Sequence, residues 1–427
     1  MSAIPQLSPE ALRQLAAELR VSYARFQSQG LNLDITRGKP CTEQLDLANG
    51  MLAGCENEYV CDGVDGRNYG GVDGLPAMKA FFADFLEAPS AQVIVGGNSS
   101  LALMHDTVLR LLLKGVSADA PAWKNQGPVK FLCPVPGYDR HFAICETFDI
   151  EMITVPMGPD GPDMDEVERL AAADPAVKGI WCIPKYSNPT GITYSDEIVD
   201  RLAAMPTAAD DFRIFWDNAY AVHHLTDTPD RLKNILSACE NAGHPDRVYV
   251  FGSTSKVTFA GAGLGAMAAS EANIAWLTKL ISIQTIGPDK MSQIRHLLFL
   301  KDMAAVDAHM KKHAAIIKPK FDVVLSMLRD GLGATGCAAW NEPRGGYFVS
   351  VDTLPGCAAR TGALAAQAGV KLTPAGATFP YGKDPEDRNI RIAPTLPSLA
   401  VIKTAMELFI LCVKIASVET LLDEKIV

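Results

Sequence analysis

The stretch Tyr249-Val-Phe-Gly-Ser-Thr-Ser-Lys-Val-Thr-Phe-Ala-Gly-Ala-Gly-Leu-Gly265 carries one charged side chain, Lys256. An apolar run of strand-forming residues precedes it, hydroxyls surround it and glycines follow. β-Branched and aromatic residues in a short run predict a buried strand over 248–252, which leaves Lys256 just beyond its end. A phosphate-binding P-loop is excluded, because that motif needs Gly-Lys-Ser/Thr and here Ser255 precedes Lys256 and Val257 follows it. A lone lysine past a strand commonly snorkels into water, so the rest of the chain must decide what this one does.

Four more apolar runs resemble the first: 129–133 (VKFLC), 152–157 (MITVPM), 179–184 (GIWCIP) and 213–217 (RIFWD). Helical patterns such as Leu101–Lys114 and Asp163–Ala172 lie between them. Apolar strands alternating with helices predict an α/β fold with a mostly parallel central sheet covered on both faces. Beyond about residue 305 the pattern becomes a long helix, short strands near 346–352 and 389–393, and a last helix near 398–415, which reads as a smaller α+β domain. At the other end Ser8-Pro9-Glu10 is a helix start, with Ser8 as cap and Pro9 in the first turn. Leu12, Leu15, Leu19, Tyr23 and Phe26 then recur at helical spacing, and Leu31–Pro40 is extended. The expected division is residues 1–50 packing with the small domain, a large domain over 51–304 and a small domain over 305–427.

The formal net charge of −10 over 427 residues argues against nucleic acid or an anionic membrane surface as partner. The first residues, MSAIPQLSPEALRQ, show no basic and apolar leader pattern, and a cytoplasmic protein is expected. The run Leu408–Val413 is too short to span a bilayer. Ten cysteines without Cys-x-x-Cys pairs read as reduced thiols, and no zinc-type or HExxH spacing appears, so no metal is expected. His223-His224 is expected to be a surface pair.

Ligands of open α/β sheets bind beyond the C-terminal strand ends, and three of those ends carry unusual polar residues. One run leads to Asn188-Pro189-Thr190-Gly191, the next ends in Asp217-Asn-Ala-Tyr220, and the last runs into Ser253-Thr-Ser-Lys256. Each alone is an ordinary turn or cap. Together, in this order, they resemble the fold-type I class I/II aminotransferases, which depend on pyridoxal phosphate (PLP). Within that class the chain is similar to the divergent aspartate aminotransferase subgroup related to the aminotransferase domain of MocR regulators.

The resemblance implies Lys256 as the Schiff-base lysine, Asp217 as the partner of the pyridinium nitrogen, and Tyr220 and Asn188 as donors to the cofactor's phenolic oxygen. It implies Tyr138 as the ring-stacking aromatic, with His141 three residues on behind Asp217. Gly97, Asn98 and Ser99 fit a phosphate cradle at a helix start. Ser253 and Ser255 add hydroxyls, and Tyr69 would reach the phosphate of a neighbouring subunit, so a homodimer with shared active sites is implied. Arg391 and Gly38 match the clamp on the substrate α-carboxylate, joined by Asn188; a guanidinium suits that planar anion better than an ammonium does.

The family commonly places an arginine eight residues after the lysine, on the cofactor phosphate. This chain has Leu264 there, and compensation is expected from Lys290 or Arg295. The implied reaction transfers the amino group of an amino acid to a 2-oxo acid in two half-reactions, aspartate and 2-oxoglutarate being the leading pair. A dicarboxylate needs a second cation, for which Arg140 ranks first, Arg37 second and Arg344 third. Alternatives are a transaminase of alanine, aromatic or broad specificity, a PLP lyase, and, remotely, a regulator-type ligand-sensing domain.

Overall fold

The computed structural model describes residues 3–425 except 54 and 56. Its centre is a seven-stranded sheet of β1 (Val93–Val95), β2 (Lys130–Val135), β3 (Glu151–Pro156), β4 (Val177–Cys182), β5 (Arg213–Asp217), β6 (Val248–Ser253) and β7 (Gly265–Ala268). The spatial order is β1-β7-β6-β5-β4-β2-β3; β7 runs antiparallel to both neighbours and every other pairing is parallel.

Burial on both faces explains the nearly unbroken apolar runs. Ile214 and Trp216 of β5 enter the core on one face, with helices Pro76–Leu86 and Asp196–Ala204. Phe215 enters the opposite core, with helices Ser100–Lys114 and Asp139–Thr147. The same alternation holds in β6, where Val248 and Val250 face one core and Tyr249 and Phe251 the other.

Two strands of this sheet escape a reading of apolar runs. β1 has three residues, and β7 (Gly-Ala-Met-Ala) has no β-branched side chain. β7 exists because the sheet needs a neighbour there: Gly265 pairs with Ser253, and Ala266 with both Gly252 and Val95. A Cβ on Gly265 would fall 2.8 Å from the Ser99 carbonyl carbon, so only glycine lets the strand approach that loop.

The smaller α+β part holds a three-stranded antiparallel sheet of β8 (Ala338–Trp340), β9 (Val349–Thr353) and β10 (Asn389–Ile392). Helices Met303–Leu332 and Leu399–Glu424 pack with it around one core. The last helix is longer than its sequence pattern suggested and buries all of Leu408–Val413. No helix among the described residues is long and apolar enough to cross a membrane. Helix Pro9–Gln27, capped by Ser8, packs on the last helix, and Leu33–Asp34 pairs in parallel with Val370–Lys371. The N-terminal segment is thereby fastened to the small α+β part before it reaches Gly38.

Candidate active site

Parallel strands deliver their C-terminal ends to one edge, and there the polar residues collect. Asp217 is the last residue of β5 and only 2% exposed. Strand alternation turns it to the same face as Phe215, towards helix Asp139–Thr147. His141 Nε2 lies 3.0 Å from Asp217 Oδ2, and the imidazole stacks on Trp181 at 4.3 Å and 11°. The other carboxylate oxygen, Oδ1, is buried without a hydrogen-bond partner. An orphaned carboxylate oxygen at this depth is costly unless a cation or donor meets it.

Lys256 sits in the tight turn after β6. Val257 and Thr258 N–H both return to the Thr254 carbonyl, and Thr254 N–H reaches the Leu264 carbonyl at 2.8 Å. The Lys256 Nζ is 5.0 Å from the centre of the Tyr220 ring. Burial lowers the lysine's pKa below its ordinary value, and the Asp217 carboxylate opposes that shift. Burial also keeps the Tyr220 phenol protonated far into alkali and pushes Tyr138 up to about 12. Both phenols therefore remain O–H donors at neutral pH.

The small part supplies the opposite wall. Arg391, on β10 and 8% exposed, has its Nη1 3.2 Å from both Asp139 Oδ1 and Asn188 Oδ1. Its Nε is buried and unpartnered, and its guanidinium carbon lies 4.9 Å over the Phe348 ring. Gly38 rests on that same ring: a Cβ there would stand 2.2 Å from Phe348 Cζ. Glycine at residue 38 lets the N-terminal segment lie against the ring that Arg391 also covers.

At the other end of the edge, Gly97, Asn98 and Ser99 open helix Ser100–Lys114, with Ser99 Oγ accepting from Ala102 N–H at 3.4 Å. Ser255 Oγ donates to the Asn98 carbonyl at 3.4 Å, and Ser253 Oγ accepts from Ser255 N–H at the same distance. Leu264 is buried in the core and presents nothing to this loop. Lys290 is buried with its ammonium on the Gly70 carbonyl at 2.8 Å, and exposed Arg295 has its Nε 3.4 Å from Cys55 Sγ. Tyr69 is 82% exposed in the cleft between loops 66–70 and 285–290.

Arg140 and Arg37 are both exposed, on the outer side of helix Asp139–Thr147 and in the N-terminal segment respectively. Arg344 is spoken for, with its Nε 2.7 Å from Asp230 Oδ1. The surface pair expected at His223-His224 is corrected: His223 is buried beside Tyr220 and Tyr347, and His224 Nδ1 is 2.9 Å from the Tyr186 hydroxyl. The ten cysteines are free thiols, eight of them buried. Among the described residues no cluster of side chains could hold a metal ion.

Sequence reasoning passed over Asp139, Phe348 and Trp181. Asp139 directly follows Tyr138 in the sequence, and its acidic side chain beside the expected stacking residue was the available signal. Phe348 and Trp181 carry no sequence signal beyond apolarity, because only packing places them against Arg391 and His141.

The model of the family described as "Aspartate amino-transferase" matches residues 7–425. An aspartate aminotransferase of Corynebacterium glutamicum is 46% identical over 94% of this chain and 93% of its own. The crystal structure of an aspartate transaminase from that organism superposes with a TM-score of 0.96 at 44% identity, covering 98% of this chain and 99% of that one. The Thermus thermophilus α-aminoadipate aminotransferase LysN, complexed with N-(5'-phosphopyridoxyl)-L-leucine, shares the fold at a TM-score of 0.72 and 19% identity, over 94% of this chain and 95% of its own. The mostly parallel seven-stranded sheet with polar strand ends on one edge is thus the fold-type I architecture. The chain is an aminotransferase and belongs to the aspartate amino-transferase family.

Proposed function

We propose that this enzyme holds PLP between Asp217 and the Gly97–Ser99 loop and uses aspartate and 2-oxoglutarate as its leading substrate pair. The observation that carries the reading is the buried Asp217 carboxylate, held by His141 through one oxygen and unpartnered at the other, close enough to Lys256 to act on its proton. A protonated ring nitrogen is the cation that oxygen lacks. Bound there, the cofactor supplies an electron sink for the electrons released at the substrate Cα.

The chain's own residues do the rest. Asp217 keeps the ring nitrogen protonated, and Asn188 and Tyr220 offer donors to the phenolic oxygen. Tyr138 covers the ring face. Ser99, Ser253, Ser255 and the main chain at Gly97–Asn98 offer hydrogen bonds to the phosphate at the helix N-terminus. Lys256, its proton affinity lowered by burial, serves as the base for the Cα proton. Arg391, with an unpartnered buried N–H, takes the α-carboxylate together with Asn188, and the segment at Gly38 covers it. Closure of that segment fits a division of the chain at about residues 50 and 304.

Tyr69 is too exposed to serve its own subunit and is assigned to the phosphate of a second copy. Ile286, also exposed, lines the same cleft, which supports a homodimer across this face. Sedimentation at micromolar concentration should give a dimer; a monomer with full activity overturns the shared site.

Arg140 is assigned to the distal carboxylate of aspartate, with Arg37 next. Arg140→Met should weaken kcat/KM for aspartate more than for alanine, by no more than the roughly 1 kcal/mol of a solvated ion pair, since Arg140 is exposed. Equal losses for both amino acids pass the assignment to Arg37. Incubation with aspartate alone tests the reaction class. An aminotransferase leaves the cofactor aminated and releases one equivalent of oxaloacetate, whereas sustained ammonia release marks a lyase.

A further inference from the structure

Behind Lys256 lies a buried polar chain that the reaction as described does not use. His309 and His313 stand four residues apart on one face of helix Met303–Leu332, 6% and 1% exposed. His309 Nε2 is 2.8 Å from the Val257 carbonyl, next to the lysine, and His313 Nε2 is 3.1 Å from His309 Nε2. Gln44 continues the chain. Its amide oxygen accepts from Cys41 N–H at 3.2 Å, which turns its NH2 towards His313 Nδ1 at 3.1 Å and the Tyr347 hydroxyl at 3.0 Å.

The donors can be counted. His313 Nδ1 accepts from Gln44, so its proton sits on Nε2, and His309 Nε2 must donate to a carbonyl. The Val257 oxygen beside them has two lone pairs, one of which takes the His309 N–H. Burial lowers the pKa of both rings, so two neutral imidazoles stand in line behind that carbonyl. On the opposite side His223 Nε2 is 3.4 Å from the carbonyl of Lys256 itself.

The chain's far end is the segment that covers Arg391. Gly38 lies on Phe348, the neighbour of Tyr347, and the Lys39 carbonyl accepts from Thr395 Oγ1 at 3.0 Å. We propose that His309, His313, Gln44 and Tyr347 form a positioning link, tying the Gly38–Gln44 segment to the main chain at Lys256 so that movement of one displaces the other. The link rests on the assignments of Arg391 and Lys256 made above. None of its four members needs to touch substrate.

A double-mutant cycle with Gln44→Leu and His309→Ala tests it. In the PLP-loaded enzyme the readout is the midpoint pH of the cofactor's visible absorbance. Either change should move it by about half a pH unit or more, and the two shifts should fall well short of adding, as expected for residues in one hydrogen-bond network. In the protein without cofactor the readout is trypsin cleavage after exposed Arg37. His309→Ala, far from that bond, should speed it about twofold or more, again without adding to Gln44→Leu. His309→Gln, which keeps an N–H for the Val257 carbonyl, should restore both readouts even if its thermal midpoint stays low. Additive effects, or a His309→Ala variant unchanged in both, overturn the link. Loss of the absorbance in wild type, or its survival in Lys256→Ala, overturns the PLP assignment instead and leaves the trypsin cycle to decide the link.

Discussion

The Asp217 end of the strand edge and the Gly97–Ser255 end are made of different materials. At the first, a buried carboxylate is braced by a stacked imidazole and an arginine lies among Asp139, Asn188 and Phe348. At the second, hydroxyls and a helix start line the loop, while Leu264 is buried and Lys290 is engaged with the Gly70 carbonyl. A buried charge is expensive, so it belongs where protonation must be controlled. Anchoring a phosphate can rest on oriented N–H groups and the helix dipole. The chain concentrates side-chain charge at the Asp217 end, where the proposed reaction takes place.

Lys256→Ala should break the reacting end outright, removing turnover together with the pH-dependent visible absorbance of the loaded enzyme. Near wild-type activity would remove Lys256 from the reaction. Asp217→Ala should follow, with kcat falling beyond the roughly 10²–10⁴-fold of an ordinary acid–base loss, because electron sink and cofactor orientation fail together. A change confined to KM would mean that Asp217 does not meet the ring nitrogen.

The anchoring end is probed by Leu264→Arg. If the position faces the core, as its burial indicates, a charge there is stranded, and thermal unfolding should show a loss of about 3 kcal/mol or more without tighter cofactor binding. Slower cofactor release in that variant would show instead that the side chain reaches the phosphate, and would dissolve the contrast between the two ends.

The remaining expected effect, confined to acid, is on stability against pH. His313 is depressed to about 4 by burial and by His309, below its unfolded value near 6.5. A base depressed in the folded state favours folding above the unfolded pKa, and that advantage is lost as pH falls through the folded one. Relative to His313→Gln, the wild type should therefore lose thermal stability between about pH 6.5 and 4 and run parallel to it above. Parallel curves throughout would mean that His313 is solvated.

Most of the large sheet was legible because strands buried on both faces must be apolar nearly throughout. β7 was not, since Gly-Ala-Met-Ala owes its strand conformation to edges waiting on either side. The lysine, aspartate, asparagine and tyrosine of the strand ends stood out because polar residues directly after apolar runs are few and their order is characteristic. His223, Gln44, His309 and His313 were hidden: a histidine in sequence gives no sign of whether water or a carbonyl faces it.

By itself, then, the sequence determined the alternation of strand and helix, the strand ends where chemistry gathers and the absence of an arginine at position 264, all of them local facts of residue type and spacing. Only the tertiary structure decided that Asp217 keeps one oxygen unpartnered, that Gly38 and Arg391 both lie against Phe348, and that His223 and His309 close on the carbonyls of Lys256 and Val257. Those contacts join segments up to several hundred residues apart, and their energies depend on burial and direction, which no local pattern encodes.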